Sequence, residues 1–174
     1  MRRHIKSILL VTVVAAAATA GCIATASADG GTDQPPSVVE DFSYPGATQI
    51  LGDTGVKLVS GDGHVLFASC PNGPDTVGLI QVRSSDLIGT NHDGKICFHV
   101  LGGTGWLTMQ IPNVFSIRGD GLQPGQGHRL KAKLTTSAGA ESTVDVSPSG
   151  TTQVGIATTP PGDPTTLLRL DASS

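Results

Sequence analysis

From residue 56 onward the chain alternates short apolar runs with clusters of Gly, Pro, Asn, Asp and Ser. The runs are "VKLVS" (56–60), "HVLFAS" (64–69), "VGLIQVR" (77–83), "KICFHVL" (95–101), "WLTMQI" (106–111), "VFSIR" (114–118), "RLKAKLTT" (129–136), "STVDVS" (142–147), "TQVGIAT" (152–158) and "TTLLRLDA" (165–172). Their length and β-branched content mark strands. "RLKAKLTT" alternates most cleanly, with Leu130, Ala132 and Leu134 on one face and Arg129, Lys131 and Lys133 on the other. Gly61, Asp62 and Gly63 give a hairpin signal between the first two runs, and Pro112 with Asn113 separates "WLTMQI" from "VFSIR". No window carries the period of an amphipathic helix. The pattern predicts an all-β fold, an antiparallel β-sandwich or jelly-roll-like barrel of about ten short strands.

The first 28 residues follow another logic. Arg2, Arg3 and Lys6 precede an uncharged apolar stretch over residues 8–18, and Ala26, Ser27 and Ala28 supply a small-x-small processing site. That stretch is about half of the roughly 20 residues needed to span a bilayer. Residues 1–28 therefore read as a signal peptide cleaved after Ala28, and the mature chain as exported, without a transmembrane segment. "TAGC" offers an alternative in which Cys22 is acylated and anchors the protein at the outer face of the cell membrane. Thr19 stands where such sites carry an aliphatic residue, which favours release. Residues 29–40 read as a flexible leader and residues 41–174 as a single all-β domain.

Export changes the meaning of the charge and of the cysteines. Removing Arg2, Arg3 and Lys6 leaves eight basic against fourteen acidic side chains, a net charge of −6, which argues against a nucleic-acid partner. Cys70 and Cys97 remain as an even pair in an oxidising compartment and are expected to form a disulfide.

Chemistry-bearing motifs are sparse. "GTNHDGK" (89–95) has the spacing of a phosphate loop, but Ile96 replaces the Ser or Thr needed for magnesium and a strand follows where a helix is required. It reads as a glycine turn. Arg118, Gly119 and Asp120 spell an adhesion tripeptide that turn chemistry explains more simply. His64, His92, His99 and His128 lack metal-site spacing; Asp62, His64, His92 and Asp93 are the nearest to a ligand set, and no metal or cofactor is expected. No nucleophile signature is present, and only Asp145 and Asp171 place carboxylates inside strands. The Arg129, Lys131, Lys133 face could meet an anionic polymer, though charged outward residues are ordinary on a sheet. For stacking on sugar rings Tyr44 and Trp106 are the candidates, with Trp106 in an apolar strand.

Several segments carry a resemblance together: "EDFSYPGATQIL", "VKLVSGDGHVLFASC", "KICFHVLGGTGWLTMQIP", "IRGDG" and "TTLLRL". Over residues 40–171 the chain resembles a family of small actinobacterial secreted proteins of unknown function. The resemblance implies export and a single domain, and transfers no catalytic or binding residue. The expectation is a secreted, non-catalytic binding or envelope-associated protein with a cell-envelope or polysaccharide ligand. The alternatives are a secreted hydrolase without a recognisable motif and a protein lipid-anchored through Cys22.

Overall fold

β5 (Thr104–Arg118) organises the molecule. In the computed structural model, which describes residues 40–73 and 78–174, this strand of 15 residues is shared by two groups of shorter ones. Its first half pairs with β1 (Lys57–Gly61) along one edge and with β9 (Thr165–Ser173) along the other. Its second half pairs with β3 (Ile80–Ser84) and β8 (Thr151–Gln153). Beyond β3 lie β4 (Lys95–Val100) and β2 (Val65–Ala68); beyond β9 lie β6 (Arg129–Thr136) and β7 (Glu141–Val146). Every ladder is antiparallel. The chain is all-β, as its patterning predicts, with hydrogen bonding continuous through 9 strands.

"WLTMQI" and "VFSIR", expected as two strands, are one. Pro112 has no N–H to give a ladder, and Asn113 adopts the left-handed conformation at φ 51°. The β5–β9 register shifts between Ile111 and Val114, so the Pro-Asn pair makes a bulge where a turn was expected. The start of the β3–β4 loop holds that bulge: Ser84 Oγ donates to the Pro112 carbonyl at 2.7 Å, and Asn113 Nδ2 to Asp86 Oδ1 at 2.9 Å. A bulge bends a strand and strengthens its twist. Residues from both halves of β5 consequently meet in one core: Leu107, Met109 and Ile111 with Val114 and Ile117. Ile80, Val82, Ile96 and Phe98 pack there from one strand group, and Leu130, Leu134, Leu167 and Leu170 from the other. Each such side chain contributes roughly 1.5–3 kcal/mol on burial.

The expected β1–β2 hairpin does not form, since β1 pairs with β5 and β2 with β4. The Asp62 carboxylate accepts from the backbone N–H of His64 and of Trp106, which ties the turn to β5 and sends the chain across to the other strand group. A short helix, α1 (Ala47–Thr54), was also not anticipated. Ala47 and Ile50, three residues apart, pack on the core, and Gly46 and Gly55 bound the helix in left-handed conformations. Two turns are too few for a clear helical period in the sequence. "TQVGIAT" forms a strand only over Thr151–Gln153, then a 3-10 turn over Gly155–Ala157.

Cys70 and Cys97 are disulfide-bonded, with their Cα atoms 5.3 Å apart. Val39–Ser174 hold together as one compact unit. Residues 1–28 with the cleavage site after Ala28, Cys22 and the leader up to residue 39 lie outside the described residues. Among the described residues no helix is long and apolar enough to cross a membrane.

Candidate binding face

The alternation that buries Leu130, Ala132 and Leu134 turns Arg129, Lys131 and Lys133 outward, as the sequence pattern predicts. The same parity acts on β5. Gly105, Leu107 and Met109 are buried, so Thr104, Trp106, Thr108 and Gln110 point the other way. Trp106, inside the strand where the sequence places it, is therefore half-buried on the outer face. Its single-strand context is apolar, but the parity of its neighbours decides its direction.

Strand register aligns the outer side chains into rows. Trp106 lies opposite Asp171, Asp171 opposite Lys131, and Lys131 opposite Asp145. Three strand spacings of about 4.8 Å make this row about 14 Å long. Beside it runs a second row of Ser60, Thr108, Arg169, Lys133 and Thr143. A cleft of about 510 Å³, lined by Phe42, Pro45, Gly61, Asp62 and Gly63 among others, adjoins the tryptophan end. A second of about 370 Å³ is lined by the other three residues of the row, Asp171, Lys131 and Asp145, together with Arg129.

Trp106 is positioned from several sides. The Arg169 guanidinium lies 4.6 Å from its ring centroid, close enough for a cation–π contact, and the Phe42 ring is 5.9 Å away, tilted by 50°. Asp62 accepts from the Trp106 N–H at 3.1 Å, and the Asp62 N–H donates back to the Trp106 carbonyl at 3.3 Å. Burial opposes the Asp62 charge, but the backbone N–H groups of His64 and Trp106, followed by the His64 ring, outweigh it and lower its pKa. Arg169 is bound by Asp171 through Nε and Nη2, at 2.9 and 2.7 Å. That bond, helped by the field of Asp62 and opposed by partial burial, raises its pKa above the ordinary guanidinium value.

The two lysines of β6 are paired within this face. Lys131 Nζ meets Asp145 Oδ1 at 2.7 Å, and Lys133 Nζ meets Glu141 Oε2 at 2.8 Å. Such exposed pairs stabilise little. Their consequence is a charge-balanced surface, unlike the cationic strip that β6 alone suggests.

The other candidates serve the fold. Tyr44 packs on the core, and its hydroxyl accepts from the Phe67 N–H at 2.8 Å, which removes it as a sugar platform. In "GTNHDGK" the loop closes on itself through Gly94 N–H to the Ile88 carbonyl at 3.0 Å, and β4 follows. The Arg118, Gly119, Asp120 segment is pinned: Gly119 is buried with its N–H on the Gly150 carbonyl at 3.1 Å, Arg118 donates to the Ser149 carbonyl at 3.2 Å, and Asp120 binds His128. His64 Nδ1 is 3.5 Å from Asp62, whereas His92 and Asp93 belong to the β3–β4 turn and His99 is exposed on β4. Among the described residues no three His, Cys, Asp or Glu side chains gather as a metal-ligand set. The aromatic–guanidinium pair of Trp106 and Arg169 was missed in the sequence, since 63 residues separate them. The alternation "LLRLDA" held the only signal, placing Arg169 and Asp171 on one face.

Fold and face define an antiparallel β domain presenting a polar sheet surface of paired charges with one tryptophan. No family model matches the chain, and no curated protein does.

Proposed function

We propose that this protein is an exported, non-catalytic binding protein whose outer β5–β9–β6–β7 face takes an extended, uncharged polysaccharide of the cell envelope. The observation that carries the reading is the row Trp106, Asp171, Lys131, Asp145, with one cleft beside its tryptophan end and another along its three charged residues. The part of the half-buried indole that Arg169 and Phe42 leave open offers an apolar surface to a sugar ring. Successive strands then place carboxylate and ammonium groups at about 4.8 Å intervals, near the length of one sugar residue, where they can bond hydroxyls along a linear chain. The internal pairing of Lys131 and Lys133 favours a neutral ligand over a polyanion. Two carboxylates have perturbed proton affinity: Asp41, through its bonds from Ser43, and Asp62. Both are lowered, opposite to what a general acid requires.

Retention on insoluble cell-wall polysaccharide tests this. The wild-type protein is expected to be retained equally at low salt and at about 1 M salt, where the screening length is about 3 Å. Trp106→Ala is expected to weaken binding about thirtyfold, a central anchor's share, with an unchanged far-ultraviolet spectrum. Retention that survives Trp106→Ala refutes the reading. Retention abolished by salt favours an anionic polymer instead.

A further inference from the structure

At one end of the binding face, three loops meet on a single imidazole. His128, just before β6, has its Nδ1 2.6 Å from Asp120 Oδ2 and its Nε2 2.8 Å from the Gly102 carbonyl. Its own N–H donates to Asp120 Oδ1 at 2.8 Å. A carbonyl can only accept, and an ionised carboxylate can only accept, so both ring bonds form together only when both nitrogens carry protons. A neutral ring has one N–H and must give up one of the two contacts.

The contact at stake holds the turn that leads into Trp106. Residues 101–104 are fixed by three groups outside the turn: the His64 carbonyl accepts from Leu101 N–H at 2.6 Å, Ser174 Oγ donates to the Gly103 carbonyl at 2.9 Å, and His128 holds Gly102. Of these three bonds only the last depends on a proton. The turn itself carries no ionisable side chain, nor do residues 121–127 or 147–150. The charged group in contact with the ring is Asp120; Arg129 follows His128 in the chain, Arg118 is directed to the Ser149 carbonyl, and His64, whose carbonyl holds Leu101, has its own ring beside Asp62.

We infer that protonated His128 is a clamp that fixes the β4–β5 turn ahead of Trp106, so that the binding face is held in shape while the ring carries both protons and loosens when it loses one. The coupling to ligand rests on the polysaccharide reading; the clamp itself does not. Burial of the ring opposes its charge, yet the Asp120 and Gly102 bonds outweigh that and raise its pKa above 6.5. The clamp is accordingly closed below pH 6.5 and opens as the pH climbs through the raised value of the folded ring.

Amide hydrogen exchange on the full chain tests the clamp without any ligand. After correction for the intrinsic pH dependence of exchange, protection at residues 102–106 is expected to fall about tenfold as the His128 ring deprotonates, the loss of one charge-assisted bond. The fall should coincide with the His128 ring titration followed by NMR in the wild-type protein, and its midpoint should lie above that of a free imidazole. In His128→Gln the pH dependence should vanish, and in His64→Gln it should persist. Protection that stays constant across the wild-type ring titration, or that still changes with pH in His128→Gln, overturns the clamp. Polysaccharide retention measured over the same range should weaken in step with protection. Protection that follows the ring while no polysaccharide is retained at any pH supports the clamp and refutes the ligand reading alone.

Discussion

Replacing both Cys70 and Cys97 by alanine removes the covalent staple and leaves every strand its sequence. The bond joins residues 27 apart, and cross-linking a loop of that length restricts the unfolded chain by about 3.5 kcal/mol. A domain of this size has about 5–15 kcal/mol in total, so the loss is a quarter to two thirds of its stability. Alanine is the replacement of choice because Cys97 is fully buried in β4, and a serine there would bury a hydroxyl. The structure also says where the loss is felt first. β2 is an edge strand of four residues, paired among the described residues to β4 alone, and Cys70 lies two residues beyond its end. Urea unfolding should show the midpoint falling and the slope rising, since the uncrosslinked chain exposes more surface. Thermal unfolding should shift down by roughly 10–15 °C. The folded spectrum should stay native, with exchange at 65–68 faster than at the rest of the sheet. A stability loss under about 1 kcal/mol, against the roughly 2–5 kcal/mol typical of native disulfides, would refute the argument that the bond acts through the unfolded chain.

Other outcomes follow from single contacts. Gly119→Ala puts a Cβ into the Pro148 carbonyl, an overpacking that should cost about 1–3 kcal/mol by urea titration; a neutral result would mean the 147–150 loop moves freely. For His128 the folded pKa is raised, so its stabilisation is complete below pH 6.5 and is lost as pH climbs through the folded value. The unfolding midpoint should therefore fall more between pH 6 and 9 in the wild type than in His128→Gln, and parallel profiles would contradict this. Among the described residues no strand pairs along the outer edge of β7, where Glu141 and Asp145 stand. Replacing both by Thr should produce concentration-dependent association in light scattering, because edge charges oppose strand addition; a strictly monomeric variant would show that another feature guards the edge.

Residues 129–136 show how far the sequence reaches. Alternation alone placed Leu130, Ala132 and Leu134 inside and the three basic residues outside, because successive side chains of any strand point to opposite faces. With Cys22 set aside among the first 28 residues, cysteine parity named the Cys70–Cys97 pair for a similar reason, since the two cysteines left allow one pairing. The same local reasoning misread Pro112 with Asn113 as a break between strands, because a bulge and a turn draw on the same residues. It also misread Gly61, Asp62 and Gly63 as a hairpin, because the partners of Asp62 include an N–H at Trp106, 44 residues on. The sequence by itself determined where most of the strands run and, in β6, which face each side chain takes, because both depend on neighbours one or two residues away; the two-turn helix α1 was too short to show. Only the tertiary structure decided that β5 joins two strand groups, that Arg169 lies over Trp106, and that β7 carboxylates neutralise the β6 lysines. Those contacts are set by strand register between distant segments, and register depends on how the whole core packs.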